Sequence, residues 1–376
     1  MEINMNKKIE FTYLTEEEMI KSGVTEMDRC IDVMTEVFEL LADGDYVMGG
    51  QNANSHGVEI DFPKHSPFPN MPLATPDRRF MAMIAYLGGR IDIAGVKWYG
   101  SNIENKKAGL PRSIHTIILS DKETGAPVAV MPGNLISSMR TGAVPGVGAK
   151  YLARKDSQIL ALIGAGVINR GCGNGILTAF PEIKKVKIYD VFDASAENLA
   201  EYLSYKHNVE TETVDSIEEA VKDADIVNIA TAGENAPKVE PSWLKQGVLL
   251  SLPAIVDLPK DFVINNRIIT DNWKLYEAWI EEYNLDPRNY HTKLELIGGD
   301  IIDYVLSGEM NPDEFTDLGD IVKGEKEGRM DENETIIFAM GGMPVEDIAW
   351  ALQTFENAKR KGLGETLTFW NEPHID

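Results

Sequence analysis

Cysteine is almost missing from this chain of 376 residues: Cys30 and Cys172 are its only two. Two thiols cannot build a disulfide framework or a cysteine-rich metal site. Each reads as a small core residue, which suits a reducing compartment. Basic charge is also scarce, with 36 Lys and Arg against 60 Asp and Glu and a formal net charge of −24. So negative a surface repels phosphate backbones, which argues against nucleic-acid partners. Anionic membranes are disfavoured for the same reason. No window reaches 18 uninterrupted apolar residues, so no membrane span is expected. The first eleven residues carry no apolar stretch of the secretory kind, and a cytoplasmic location is the expectation. The six histidines show no metal-type spacing and no Ser-His-Asp or Cys-His grouping, so no metal is expected.

With 43% hydrophobic and 26% charged residues, the composition is that of a globular protein, and the length suggests two domains. Thr15 and Glu18 form a capping box ahead of a segment, roughly 14–43, that reads as helical. Residues 49–76 then crowd Asn, Gly, Pro and His into a long irregular loop. Strand-like runs follow at Phe80–Leu87, Ala94–Tyr99, Ser113–Leu119 and Pro127–Met131, a mostly antiparallel α+β pattern. Asn134–Leu152 reads as a helix whose many small residues invite close packing, with a kink at Pro145.

From residue 158 the pattern alternates. Short apolar strands at Gln158–Ile163, Lys185–Tyr189, Glu212–Val214, Asp225–Ala230, Val248–Leu252 and Arg267–Thr270 are separated mostly by helical stretches. That is the signature of a doubly wound parallel sheet of the Rossmann type. After about residue 318 the chain reads as helical again, notably over Val345–Arg360. The expected organisation is an α+β substrate-binding and dimerisation domain from residues 1–148 and 318–376, around a Rossmann dinucleotide-binding domain at 149–317.

The first apolar strand runs directly into Gly164-Ala165-Gly166-Val167-Ile168-Asn169. A glycine turn that opens a helix lets backbone N–H groups approach a pyrophosphate. Asn169 stands where the usual pattern has a third glycine. The second strand ends at Asp190, 26 residues after Gly164 and close to the spacing of a ribose-binding acid. A carboxylate there accepts from ribose hydroxyls and repels a 2′-phosphate. With Val191 and Phe192 following rather than an arginine, NAD is expected over NADP. Thr231, after the strand that contains Ile229, falls at the carboxyl edge where cofactors bind.

Two cations sit among apolar or small residues: Lys97 on a strand and Arg140 on the small-residue helix. They read either as a pair that holds a carboxylate, Arg by a fork and Lys as a point charge, or as surface or ion-paired charges. The run Gly95-Val96-Lys97, Ser101-Asn102, Met139-Arg140-Thr141-Gly142-Ala143, Tyr151-Leu152-Ala153 and Ile163–Gly166 resembles the ornithine cyclodeaminase/μ-crystallin family. The match continues through Ala224–Val227, Trp243, Gly324-Glu325, Gly328-Arg329 and Val345-Glu346-Asp347, covering about residues 80–350. The chain is similar to a longer subgroup, with insertions around 60–79 and 272–312.

The resemblance implies an NAD(P)-dependent enzyme acting on a small amino acid or its imine. It implies a homodimer assembled through the first-domain sheet and the returning C-terminal helix. It makes Lys97 and Arg140 the substrate-carboxylate pair, with Lys97 also catalytic. Asp257, in an Asp-x-Pro pattern after the fifth strand, becomes the catalytic acid/base. Glu59 is placed at the substrate side chain, with Asp61 competing for that role. His56, in the irregular loop, is the rival base and a substrate contact. A further arginine of the family is missing upstream of the lysine, and Arg78 or Arg79 stand nearest to replace it. The other class left open is a non-catalytic NAD(P)H- and ligand-binding protein, or a partner subunit of a larger enzyme.

Overall fold

The computed structural model describes residues 8–75, 77–231, 236–285 and 296–375. The contacts divide the chain into two units. One comprises residues 1–26, 45–137 and 343–376, the other 27–44 and 138–342.

In the first unit a mixed sheet runs in the order Glu365–Trp370, Ile9–Tyr13, Pro127–Pro132, Ser113–Ser120, Ile93–Ser101, Arg79–Leu87 and Tyr46–Met48, with Val58–Asp61 also paired to Arg79–Leu87. Its pairs are antiparallel except Ile9–Tyr13 against Pro127–Pro132. Strand Arg79–Leu87 shows why one face is core. Met81, Met83, Ala85 and Leu87 are buried, whereas the alternate residues Phe80 and Ile84 are exposed; side chains with a period of two must choose sides. The helix Pro344–Arg360 covers the buried face. Pro344 opens it at the first helical position, where a missing N–H costs nothing. Its Ile348 lies so close to Gly95 that a Cβ there would come within 2.6 Å of the Ile348 methyl.

The second unit holds an all-parallel sheet in the order Glu210–Thr213, Lys185–Tyr189, Ile159–Ile163, Ile226–Ile229, Leu249–Leu252, Ile336–Ala339, Arg267–Thr270 and Thr316–Asp317. The first five strands reproduce the 3-2-1-4-5 order of a Rossmann sheet, whose switch point lies between Ile159–Ile163 and Ile226–Ile229. Helices Asn134–Leu152 and Val167–Ala179 meet through glycine: any Cβ on Gly175 would collide with the Gly142 carbonyl. The small-residue helix therefore packs closely, as its composition predicts.

Three expectations change. The helical segment 14–43 is two helices, Glu16–Lys21 and Met27–Asp43, broken where Gly23 takes φ +90°. Residues after 318 are not all helical, because Ile336–Ala339 is a fully buried strand between Leu249–Leu252 and Arg267–Thr270. The second unit accordingly extends to Gly342, not to 317. The insertion 272–312 contributes helices Trp273–Leu285 and Ile297–Leu306; residues 286–295 of it lie outside the described residues. Among the described residues no helix is long and apolar enough to cross a membrane.

Candidate active site

The cofactor half is built in the second unit. Strand Ile159–Ile163 ends in Gly164, which takes φ +90° and donates its N–H to the Tyr189 carbonyl at 2.8 Å. A Cβ there would lie 2.5 Å from the Ala230 carbonyl oxygen and 3.1 Å from the Thr231 methyl. Only glycine fits, and Thr231 is thereby brought to the turn. Gly166 caps the helix Val167–Ala179, and a Cβ on it would meet nothing within 4 Å. Around this open turn Val167, Ile168, Val191 and Phe192 are exposed large apolar side chains. An adenosine moiety would cover such a surface, so the residues present fit a dinucleotide. In the sequence, Val191 and Phe192 signal only that no arginine follows Asp190. Their exposure is a feature that composition could not show. Asp190 accepts from the Ala165 N–H at 2.6 Å and the Phe192 N–H at 2.9 Å, which fixes its carboxylate at the turn.

Asn169 departs from its expected role as a cofactor contact. It is fully buried, and its amide donates to the Ile163 and Gly164 carbonyls at 2.8 and 2.6 Å. Asn228 donates to the Asn169 Oδ1 at 2.6 Å, and Ser251 donates to the Asn228 Oδ1 at 2.7 Å. Asn169 thus braces the turn from beneath through a satisfied polar chain across three elements.

Arg140 is buried on the helix Asn134–Leu152. It packs on Gly342, which takes φ +72°; a Cβ there would come 2.8 Å from an Arg140 guanidinium nitrogen. The Gly341–Gly342 turn is held by Asp271, whose carboxylate accepts both N–H groups at 2.7 and 3.0 Å. Burial pushes Asp271 up to about 6, against the pull of those N–H donors. A carboxyl raised on folding binds its proton more tightly when native. Its contribution is therefore fullest below about 4 and is lost as pH rises towards 6. A shift of that size amounts to about 3 kcal/mol at 1.36 kcal/mol per unit. The stability difference between the native protein and Asp271→Asn, measured by urea unfolding, is expected to fall by about that amount from about pH 3 to about pH 7. It should stay flat above 7. A pH-independent difference refutes this.

Glu59 and Lys97, expected on the substrate side, lie on one face of the first unit's sheet. Direct cross-strand pairs set the rows: Glu59, Met81, Tyr99 and His115 form one, Met83, Lys97 and Ile117 the next. Lys97 is 2% exposed, and its Nζ lies 2.6 Å from Asp347 on the covering helix and 3.5 Å from Ser137 Oγ. Lys97 thus has an internal ion-pair partner 250 positions away in sequence. Glu59 faces Arg79 at 3.8 Å, and Arg79 also pairs with Asp77 at 3.2 Å. The register separates the two arginines by face. Arg79 pairs with Ser101 on the face of Lys97. Arg78 instead donates to the Leu73 carbonyl and lines a cleft of about 640 Å³ with Phe62, Phe80 and Trp98, on the opposite face. Asp61 opposes Arg79 in the ladder. His56 lies in the loop just before Val58–Asp61.

Asp257 is exposed in the second unit, and its backbone pairs with Pro237 and Val239. Beside it on the helix Ile297–Leu306 stands Asp300, raised to about 6 by burial first and by the charges of Asp303 and Asp257 second. No signal in the sequence links Asp300 to Asp257.

A model of the ornithine cyclodeaminase/mu-crystallin family matches residues 23–362. The N-((2S)-2-amino-2-carboxyethyl)-L-glutamate dehydrogenase of Staphylococcus aureus is 31% identical over 296 residues, 78% of this chain and 82% of that protein. The structure of the Thermococcus litoralis Delta(1)-pyrroline-2-carboxylate reductase, in complex with NADH and L-proline, has TM-score 0.76 and 28% identity. It covers 94% of this chain and 99% of that one. An archaeal alanine dehydrogenase dimer with bound NAD has TM-score 0.76 and 26% identity, covering 96% of this chain and all of that one. The parallel sheet, the glycine turn and the extent of these matches agree: the chain belongs to the ornithine cyclodeaminase/mu-crystallin family.

Proposed function

We propose that the protein is an NAD-dependent oxidoreductase acting at the amino-bearing carbon of a small amino acid or its imine. The observation that carries this is a buried ammonium, Lys97, on the covered sheet face beside the row of Glu59, Tyr99 and His115, in a chain whose relatives are dehydrogenases and reductases of amino acids and a cyclic imine. NAD, when bound, supplies the two-electron acceptor for a hydride. Gly164, Gly166, Val167, Ile168, Asp190 and Thr231 would hold it, with Asn169 bracing the turn. Lys97 and Arg140 are the cations for the substrate carboxylate, an anchoring that fixes which Cα–H bond is presented. Glu59 and His56 would contact the rest of the substrate. Asp257 takes a proton from the attacking group and returns it to the leaving amine. Water as that group gives deamination, and a side-chain amine gives cyclisation with loss of ammonia. The reverse direction reduces an imine.

A panel of amino acids scored for NADH formation, and in parallel for ammonia and proline, tests the reading. Silence in all three with folded protein overturns it. NAD(H) is expected to bind about 10- to 150-fold more tightly than NADP(H), the worth of one charge-assisted hydrogen bond. Equal dissociation constants in a fluorescence titration would remove Asp190 from the ribose.

The protein also forms a homodimer in this reading, as the archaeal alanine dehydrogenase does. Phe80, Ile84, Trp98 and Ile114 give the sheet's uncovered face an exposed apolar surface, which points to the sheet. The helix Pro344–Arg360 is not part of it, because 14 of its 17 residues are buried. A monomer mass by light scattering at micromolar concentration counts against the dimer.

A further inference from the structure

The pair formed by Lys97 and Asp347 joins a strand to the first turn of a helix that is remote in sequence. Both side chains are buried, at 3% and 0% of their exposure, and the contact is 2.6 Å. An ammonium has three donor directions. Asp347 takes one, Ser137 Oγ stands at 3.5 Å along another, and the Tyr99 ring lies 5.8 Å from Nζ. The row beyond Lys97 is closed by apolar packing, since Ile348 fills the space above Gly95. The row on the other side is polar, with Glu59, Tyr99 and His115. Lys97 therefore stands where the apolar core ends and the polar face begins, and Asp347 holds it there from the core side.

We propose that Asp347 is the positioning residue for Lys97: it fixes the ammonium at the border of the polar face and keeps it charged for a substrate carboxylate. The second clause rests on the function proposed above; the first does not. The physical logic is one of burial against charge. Desolvation disfavours a buried ammonium, and a carboxylate in contact restores it. Without that carboxylate, Lys97 gives up its proton at lower pH. The other charged or titratable groups facing it are Glu346 beside Asp347 on the helix, Tyr99 on its own strand, His115 on the next, and Glu59 and Arg79 across the sheet. Asp347 is in direct contact with Nζ at 2.6 Å.

The test uses the whole chain with lysine carrying ¹³C at Cε, so that the Lys97 titration is read directly by NMR after assignment with Lys97→Arg. In Asp347→Asn the Lys97 titration is expected to move down by at least one pH unit, and in Asp347→Glu to stay near that of the native protein. An unchanged titration in Asp347→Asn overturns the proposal. Should Asp347→Asn fail to fold, Asp347→Glu decides. Its longer side chain displaces Nζ, so a Lys97 Cε chemical shift unchanged from the native protein's would show that Asp347 positions nothing, whereas a moved resonance with a native-like titration supports the proposal. The functional arm measures binding of L-alanine and L-proline in the presence of NAD, from pH 6 to 9. Affinity in Asp347→Asn is expected to fall about 10- to 150-fold towards high pH, the worth of a charge-assisted bond. The native profile should be flat. A loss equal at every pH would mean a merely structural role. If neither amino acid binds the native protein while the titration still shifts, the functional reading fails and the positioning role stands.

Discussion

Lys97→Met is expected to cost about 3–5 kcal/mol of stability, because it strands the Asp347 carboxylate in the core. It is also expected to weaken amino-acid binding about 10- to 150-fold while leaving NAD affinity unchanged. The two losses have different causes and can be separated. Replacing both partners, as Lys97→Met with Asp347→Leu, removes the stranded charge. A buried pair replaced whole by apolar groups is often neutral or stabilising. The double variant should thus recover most of the lost stability, because the row of Lys97 already holds the apolar Met83 and Ile117, and Ile348 packs over the adjoining Gly95. Substrate binding should not recover, because the ammonium is still missing. Urea unfolding of the native protein, Lys97→Met, Asp347→Leu and the double variant gives the coupling energy, and calorimetric titration with the active amino acid gives the binding loss. A double variant that binds as the native protein does would show that the carboxylate is held elsewhere. Additive stability losses would show that the pair is not coupled.

What the sequence revealed followed a physical divide between local and distant signals. The turn at Gly164 was legible because a strand, a glycine and a helix start are contiguous, and the φ of +90° there is what that spacing demands. The parallel sheet was legible from short apolar strands alternating with helices. The strand Ile336–Ala339 was not, since four consecutive apolar residues suit a buried strand and a buried helix equally. It fell in a stretch with no partner nearby in sequence: its neighbours are Leu249–Leu252 and Arg267–Thr270. The same limit hid Asp347, whose lysine is 250 residues away. Arg79 and Arg78 are adjacent in sequence, and only the ladder register sends the first to the face of Lys97 and the second to the opposite cleft. Asn169 looked like an imperfect glycine pattern because its role depends on Asn228 and Ser251, which belong to two other strands.

Asp257→Asn is expected to keep the fold and NAD binding while losing turnover about 10²- to 10⁴-fold, the range of general acid–base catalysis. Asparagine has nearly the same shape, and Asp257 is tied to Pro237 and Val239 through its backbone, so the loop should hold. The amide cannot carry a proton. The neighbouring carboxyl supplies an independent reading. Asp300 sits near 6 partly because the Asp257 charge opposes its ionisation. Neutralising Asp257 should therefore let Asp300 ionise at lower pH, and any residual turnover that depends on protonated Asp300 should shift its pH profile downward. His56 makes the competing prediction. If it is the base, His56→Gln is the severe variant and Asp257→Asn the mild one, and the pH limb near neutrality disappears with the imidazole. Turnover of both variants on the amino acid or imine that proves active decides between them. Retention of more than about a tenth of native turnover by Asp257→Asn, a loss short of the weakest acid–base contribution, would transfer the role to His56 if His56→Gln is the severe variant, and would leave it with neither residue if both are mild.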